Sequence, residues 1–134
     1  MANLTVTAAN VKAPALFFEQ MPDGPAAEAI NAGQPVRYDT ANGRYTLANG
    51  TSAAEARVIG IAFTSAIAGQ TVSVLRKGLI DLGGAITQAY DAPIYLSDTD
   101  GTLGDTAGTV STVVGRVAPA FGATTADKLL FVDL

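Results

Sequence analysis

The side chains best suited to chemistry in this chain are carboxylates, because its 134 residues include 12 Asp and Glu but no His and no Cys. Without imidazole or thiol groups, Ser-His-Asp and Cys-His catalysis are excluded, and so are metal sites ligated by His or Cys. Catalysis would need a carboxylate pair or a Ser-Lys arrangement. Many acidic residues lie in or near predicted turns, where Asp is expected for its local hydrogen bonds. We therefore predict that the protein is not an enzyme and uses no cofactor, with a carboxylate-dependent hydrolase as a distant alternative.

The densest group of carboxylates lies between Asp98 and Asp105 and includes Asp100. Closely spaced carboxylates on a turn can bind a hard cation, and calcium requires roughly six to eight oxygen ligands. The helix-loop-helix calcium signature would place Gly and then a bidentate Glu where this chain has Leu103 and Thr109. A plain hairpin turn is the favoured interpretation of this segment, a cation site is the alternative, and no metal site is assigned from the sequence.

The elements that position this turn occur twice in the chain. Pro35 and Gly43 align with Pro93 and Gly101, an offset of 58 residues in both cases (93 − 35 and 101 − 43). The residues between them follow the same order of strand and Asx-Gly turn in each copy. A pattern repeated in this way is typical of a scaffold built by internal duplication.

Glycines and short alternating segments predict β-strands throughout both copies. Asn42-Gly43 is a strong hairpin signal, since both residues tolerate the positive φ of tight hairpin turns. Gly60 and Gly115 lie inside apolar runs at matching places, and a glycine within a strand often marks a bulge or a bend. The predicted fold is all-β, a small β-barrel or sandwich built from two pseudo-repeats at about residues 35–82 and 93–132.

Residues 1–34 match neither copy and are predicted to form an extended N-terminal arm or edge segment of a single β domain that spans residues 1–134. Pro14, Pro22 and Pro25 make a long helix or a central strand unlikely here, because proline lacks the backbone N–H. Leu4 and Val6 alternate with threonines at its start. Residues 26–30, which precede a glycine, are compatible with one helical turn.

The most apolar run of this N-terminal region contains Leu16, Phe17 and Phe18. Short apolar runs are usually buried, so a strand that closes the core is the favoured interpretation. The functional alternative is an anchor that inserts into a neighbouring subunit. On that alternative, the candidate contact residues for a capsid or for another subunit are Leu4, Val6, Leu16, Phe17 and Phe18.

The composition favours permanent protein partners. Hydrophobic residues make up 49% of the chain and charged residues only 15%, with a mean hydropathy of +0.30. Exposed apolar area normally marks contact surfaces. The net charge is −4 and the basic residues are scattered, so we expect no nucleic-acid partner. No segment has the pattern of a secretory signal or a membrane span, and we expect synthesis in a host cytoplasm.

From residue 32 to the C-terminus, the order of glycine and aliphatic positions resembles small tailed-phage capsid decoration, or cement, proteins. The segments that carry the resemblance are residues 32–36, 58–62, 68–74, 77–80, 92–95 and 114–117. The resemblance implies a non-enzymatic structural protein with a compact β fold. Such a protein sits on the outer surface of the virion and clamps neighbouring subunits of the major capsid protein.

The resemblance also implies self-association, with a homotrimer favoured and a dimer as the alternative. The rival hypothesis from another class is a fibre-associated module that binds host surfaces or glycans. Sugar-binding surfaces usually rely on exposed aromatic faces, and this chain has no Trp and four Tyr. Decoration of a capsid is therefore the function that the sequence favours.

Overall fold

The computed structural model of the chain describes residues 3–11, 19–119 and 128–134. Apart from a single 3-10 turn at Ala8–Asn10, the regular structure in these residues is β. The all-β prediction is confirmed. The strands are β1 (Glu19–Gln20), β2 (Gly24–Pro25), β3 (Pro35–Asp39), β4 (Arg44–Leu47), β5 (Gly60–Ala62), β6 (Thr71–Val72), β7 (Val74–Ile80), β8 (Pro93–Leu96), β9 (Leu103–Gly104), β10 (Val113–Pro119) and β11 (Lys128–Asp133).

Eight of these strands form one curled, antiparallel sheet in the shape of a half-barrel. Their order is β4-β3-β5-β7-β11-β10-β8-β9. Strand β1 pairs with β7 outside this path, and β2 pairs with β6 in a separate two-stranded sheet. The first copy of the repeat supplies one half of the large sheet, the second copy supplies the other, and the two halves meet where β7 pairs with β11.

The strand order reads the same from both ends, as expected for two structurally equivalent repeats. In the first half, the outer hairpin β3–β4 is followed by β5 and then by the central strand β7. In the second half, the outer hairpin β8–β9 is followed by β10 and then by the central strand β11. The hairpin registers also agree, because Tyr38 lies opposite Tyr45 in the first copy and Leu96 lies opposite Leu103 at the aligned positions of the second. The two predicted pseudo-repeats are therefore present in both strand order and register.

The two aligned mid-strand glycines permit close approach of neighbouring strands. A Cβ atom on Gly115 would lie 2.1 Å from the carbonyl oxygen of Phe131, and one on Gly60 would lie 2.5 Å from the carbonyl oxygen of Leu75. The β8–β10 register shifts between Val113 and Gly115, as the predicted bulge requires. Glycine is needed at both places because any larger residue would push the adjacent strand away.

Two clusters of buried side chains pack against the large sheet. The larger cluster draws from both repeats and contains Leu4, Ala48, Ala56, Ile61, Leu75, Ile80, Leu82, Ile86, Ile94, Leu96, Leu103, Val114, Val117, Leu130 and Val132. The smaller cluster joins the first repeat to the β2–β6 sheet and contains Ala26, Ile30, Val36, Tyr45, Ala62, Ala66, Val72 and Val74. Neighbouring residues of β5 and β7 fall in different clusters, so both faces of the first repeat are covered.

Parts of residues 1–34 contact the two outermost strands of the sheet, while β1 pairs with the central strand β7. At one end, the Leu4 N–H donates to the Leu103 carbonyl of β9 at 2.9 Å. At the other end, the Ala27 N–H donates to the Tyr45 carbonyl of β4 at 2.7 Å. Unpaired strand edges invite aggregation, and this segment covers both outermost strands. The assignment of residues 1–34 as an arm or edge segment stays a prediction.

The helical turn predicted at residues 26–30 is wrong. Ala26 instead forms a parallel β-bridge with Tyr45, and Ile30 forms an antiparallel bridge with Ala66. Both Ala26 and Ile30 are fully buried in the smaller cluster. Burial against two different strands outweighs the weak helix preference of an alanine-rich stretch.

Substitution of Gly115 by alanine should destabilise the fold by about 1–3 kcal/mol, because the new Cβ overpacks the backbone of β11. Gly69→Ala is the matched control, since Gly69 has open space around it but a φ of 86°. The Gly69→Ala variant should lose only about 1 kcal/mol of stability, which is the cost of holding alanine in a left-handed backbone conformation. Chemical denaturation of both variants measures the difference, and equal losses would show that β10 and β11 are not constrained at this point.

Candidate functional site

One face of the sheet remains exposed across the second repeat and the adjoining strand β7. Directly opposite residues on neighbouring strands project from the same face of a sheet. One row of opposite residues consists of Leu79 on β7, Phe131 on β11, Arg116 on β10 and Pro93 on β8. A second pair, Tyr95 on β8 and Val113 on β10, lies beside this row. We call this surface the open face, and its residues are Leu79, Pro93, Tyr95, Val113, Arg116 and Phe131. Every one is at least partly exposed, and Val113 is 47% exposed.

The same row in the first repeat is buried. Pro35 lies opposite Ile61, and Ile61 lies opposite Leu75, in the register that the second repeat also uses. Ile61 and Leu75 are fully buried in the larger cluster. Two equivalent rows therefore have opposite environments, because the larger cluster packs over only one of them. The open face is the one that remains available to a partner.

The charges on and beside the open face are paired. Arg116 Nη2 lies 2.9 Å from Asp91 Oδ2, and Lys77 Nζ lies 3.4 Å from Asp133 Oδ1. Both pairs are well exposed, so each contributes little to folding stability. Their effect is to leave the open face without net charge, which lowers the cost of bringing an apolar partner against it.

The structure places Leu4 and Val6 away from the open face. Leu4 is only 6% exposed and packs in the larger cluster, while Val6 is half-buried against that cluster. Leu16, Phe17 and Phe18 lie outside the described residues. Contact of these five residues with a capsid or with another subunit stays a prediction. The open face itself was missed, because Tyr95 and Val113 alternate with core residues and the sequence does not say which face is covered.

The carboxylate-rich segment forms the β8–β9 hairpin turn. Asp98 accepts hydrogen bonds from the backbone N–H and the hydroxyl of Thr109 at 2.8 and 2.7 Å. Asp100 accepts one from Asn49 Nδ2 at 3.0 Å. Within residues 3–11, 19–119 and 128–134, no group of three or more acidic side chains is placed to hold a metal ion. The segment forms a hairpin turn, and its carboxylates tie the turn to two other loops.

Two carboxyl groups of the first repeat have lowered pKa values. The pKa of Asp39 is lowered chiefly by the hydrogen bond from Asn42 Nδ2 at 3.0 Å. The pKa of Glu55 is lowered chiefly by the Thr51 hydroxyl at 2.7 Å, with a smaller contribution from Arg37. Burial raises the pKa of the Tyr45 phenol, which donates to the Pro22 carbonyl at 2.7 Å. These shifts arise from local turn contacts and keep the carboxylates ionised.

A search of protein-family models, curated proteins and solved structures finds no significant match to this chain. The resemblance to capsid decoration proteins therefore stays a prediction. In the part of the chain that the structure describes, no helix has the length and apolar character needed to cross a bilayer. The geometry offers a neutral, partly apolar sheet face that is suited to contact with another protein.

Leu4→Ala should lower the free energy of unfolding of the isolated protein by about 2–3 kcal/mol, because it removes a buried side chain from the larger cluster. The neighbouring exposed Thr5 provides the control, and Thr5→Ala should change stability by less than about 0.5 kcal/mol. Urea denaturation of the free protein is the measurement. A Leu4→Ala variant as stable as the parent would mean that Leu4 serves only an external contact.

Acid should destabilise the protein partly through Asp39 and Glu55. Their folded-state pKa values lie below the ordinary values, so the unfolded chain binds protons first as the pH falls. Their contribution to the free energy of unfolding is fully present above about pH 4, and it is lost as the pH falls through their lowered pKa values in the folded protein. The double variant Asp39→Asn, Glu55→Gln should show a flatter dependence of denaturation midpoint on pH below about 5. Unchanged slopes would refute this assignment.

Proposed function

We propose that this protein is a structural component of a bacteriophage virion, which binds the outer surface of the capsid and cements neighbouring subunits of the major capsid protein. The observation that carries the proposal is the open face, a neutral and partly apolar sheet surface whose counterpart in the first repeat is buried. The sequence resemblance to tailed-phage decoration proteins supplies the identity of the partner. The net charge of −4 favours the outer surface over the DNA-filled interior.

The physical role of such a protein is to hold together subunits that internal pressure would separate. Each contact can be weak, because many copies act on one shell and one molecule that touches two subunits converts its second contact into an intramolecular event. The open face suits this role because apolar area contributes binding energy without a strict requirement for polar pairing. Residues 1–34 supply further candidate contacts at Leu4, Val6, Leu16, Phe17 and Phe18.

The proposed protein associates with itself as a homotrimer, with a dimer as the alternative. Coverage of both outermost strands supports closed assembly, because an uncovered strand edge would permit open-ended pairing between molecules. Contacts are then made through sheet faces and loops. Sedimentation of the free protein and counting of subunits on decorated shells distinguish the two states.

The second candidate, a fibre-associated module that binds host surfaces or glycans, draws on two exposed tyrosines. Tyr38 is 45% exposed and Tyr90 is 41% exposed. However, the Tyr38 ring stacks on Tyr45 with 5.6 Å between centroids, and Lys128 Nζ lies 5.1 Å from the centre of the Tyr90 ring. One face of each ring is therefore engaged within the chain, which weakens this candidate as a sugar platform.

Binding to capsids should depend on the open face. Purified protein mixed with shells that lack it should bind at a copy number comparable with that of the major capsid protein, whereas a fibre component would bind at the much lower copy number of fibres. Val113→Asp should weaken this binding at least about tenfold, because it places a charge where the proposed contact with the capsid buries apolar methyl groups.

Ile67→Asp is the matched control, since Ile67 is 63% exposed but lies in the turn between β5 and β6. It should leave capsid occupancy unchanged. Circular dichroism confirms that both variants are folded, and occupancy is measured by quantitative electrophoresis of purified particles. Equal occupancy of the two variants would remove the open face from the proposal, and failure of the parent protein to bind any shell would remove the function itself.

A further inference from the structure

Strand β3 continues past the end of its neighbour β5. The pairing between them covers only Pro35 opposite Ile61 and Val36 opposite Gly60. The Ile59 N–H then donates to the Val36 carbonyl at 2.9 Å, after which the two segments separate. Backbone polar groups of a strand alternate between its two sides, so the N–H and carbonyl of Tyr38 point to this same side. Beyond Val36, no other described strand pairs with the β5 side of β3, where the Tyr38 carbonyl accepts only a long hydrogen bond from the Arg37 side chain. We call this side the open edge.

A groove of about 380 Å³ lies along this open edge. One wall comes from β3 and its turn, and the other comes from the segment that leads into β5. Two of the lining residues carry a positive charge and none carries a negative charge. The lining residues are Arg37, Tyr38, Thr40, Ala54, Arg57 and Ile59.

The two guanidinium groups of this groove lack strong acceptors. Arg37 Nη1 makes a long hydrogen bond of 3.4 Å to the Tyr38 carbonyl, and Arg37 Nη2 lies 4.0 Å from the nearest Glu55 oxygen. Its Nε is buried without a hydrogen-bond partner in the described part of the chain. Arg57 is exposed and forms no ion pair with another described residue. Unsatisfied donors of this kind favour a ligand that brings oxygen acceptors.

We infer that this groove binds an extended acidic peptide segment of a partner protein. The backbone of the segment pairs with Tyr38 as an added strand, and a Glu or Asp side chain lies between Arg37 and Arg57. Main-chain pairing supplies affinity in this mode, and the side-chain contacts supply specificity. The inference does not depend on the capsid function, because it concerns only the chemistry that this groove recognises.

The charge count favours a peptide over a nucleic acid. Two arginines can neutralise one or two carboxylates, whereas a nucleic-acid site requires a longer track of cations along successive phosphates. The chain as a whole gives the groove no such support, since its net charge is −4. The open edge also offers backbone N–H and carbonyl groups in the spacing of a strand, which matches a peptide and not a sugar-phosphate backbone.

The Glu55 carboxylate competes with an incoming acidic side chain for Arg37. This carboxylate stands near Arg37 without reaching hydrogen-bond distance, while the Thr51 hydroxyl holds its other oxygen. Neutralising Glu55 therefore frees Arg37 for an incoming carboxylate. This gives a variant that should bind more tightly, which a merely unfolded or damaged groove could not do.

The test uses the full chain and two acetylated, amidated peptides, Thr-Glu-Val-Glu-Thr and Thr-Gln-Val-Gln-Thr. Titration followed by amide NMR should shift the signals of residues 37–40 and 54–59, with the Glu peptide binding about fivefold more tightly than the Gln peptide at low salt. Arg57→Gln should weaken binding of the Glu peptide about fivefold, and Glu55→Gln should strengthen it. Arg44→Gln, an equal change of charge on β4 outside the groove, should leave the affinity unchanged.

Three outcomes would overturn the inference. The first is equal affinity for the two peptides, or no shift at millimolar peptide. The second is equal weakening by Arg57→Gln and Arg44→Gln, which would show attraction by overall charge alone. The third is tighter binding of a single-stranded oligothymidylate at the same signals. The amide spectrum of each free variant verifies its fold before titration.

Discussion

The pairing of β7 with β11 is the interaction on which the rest of the structure depends. It runs from Lys77 opposite Asp133 to Ile80 opposite Leu130 and joins the two repeats into one sheet. Without it, each half would present a long unpaired central strand to solvent. The larger cluster also requires it, because Ile80 and Leu130 place the side chains of both repeats on one side of the junction. The contact is between residues far apart in sequence, so its loop-closure cost is high and it is expected to form late.

Duplication gives the two halves the same registers, but packing gives them different surfaces. In the first repeat, the β2–β6 sheet and the larger cluster cover opposite faces. In the second repeat, only the face with Ile94, Leu96 and Val117 is covered. The consequence is that the row of side chains that is buried in the first repeat is exposed in the second, where it forms most of the open face. A symmetric scaffold thereby acquires a single surface that differs from the rest.

Local signals in the sequence were sufficient to predict much of the fold. Asn42-Gly43 marks a real hairpin, and Gly60 and Gly115 mark places where strands approach too closely for a side chain. The strand order could not be predicted, because the pairing of β7 with β11 depends on burial that involves both repeats. Tertiary contacts also determine the conformation of residues 26–30, which form two β-bridges instead of the expected helical turn. The candidate site was missed for a related reason, since Tyr95 and Val113 show their exposure only when the covered face is known.

The segment that covers the sheet edges has a consequence for synthesis of the chain. Leu4 is synthesised well before Leu103, yet its hydrogen-bond acceptor is the Leu103 carbonyl. During that interval the amino-terminal stretch has no native docking place, although its own apolar residues are already exposed. The segment around Leu4 can therefore reach its final position only after Leu103 has been synthesised, and the outer edge of β9 is covered from that point on.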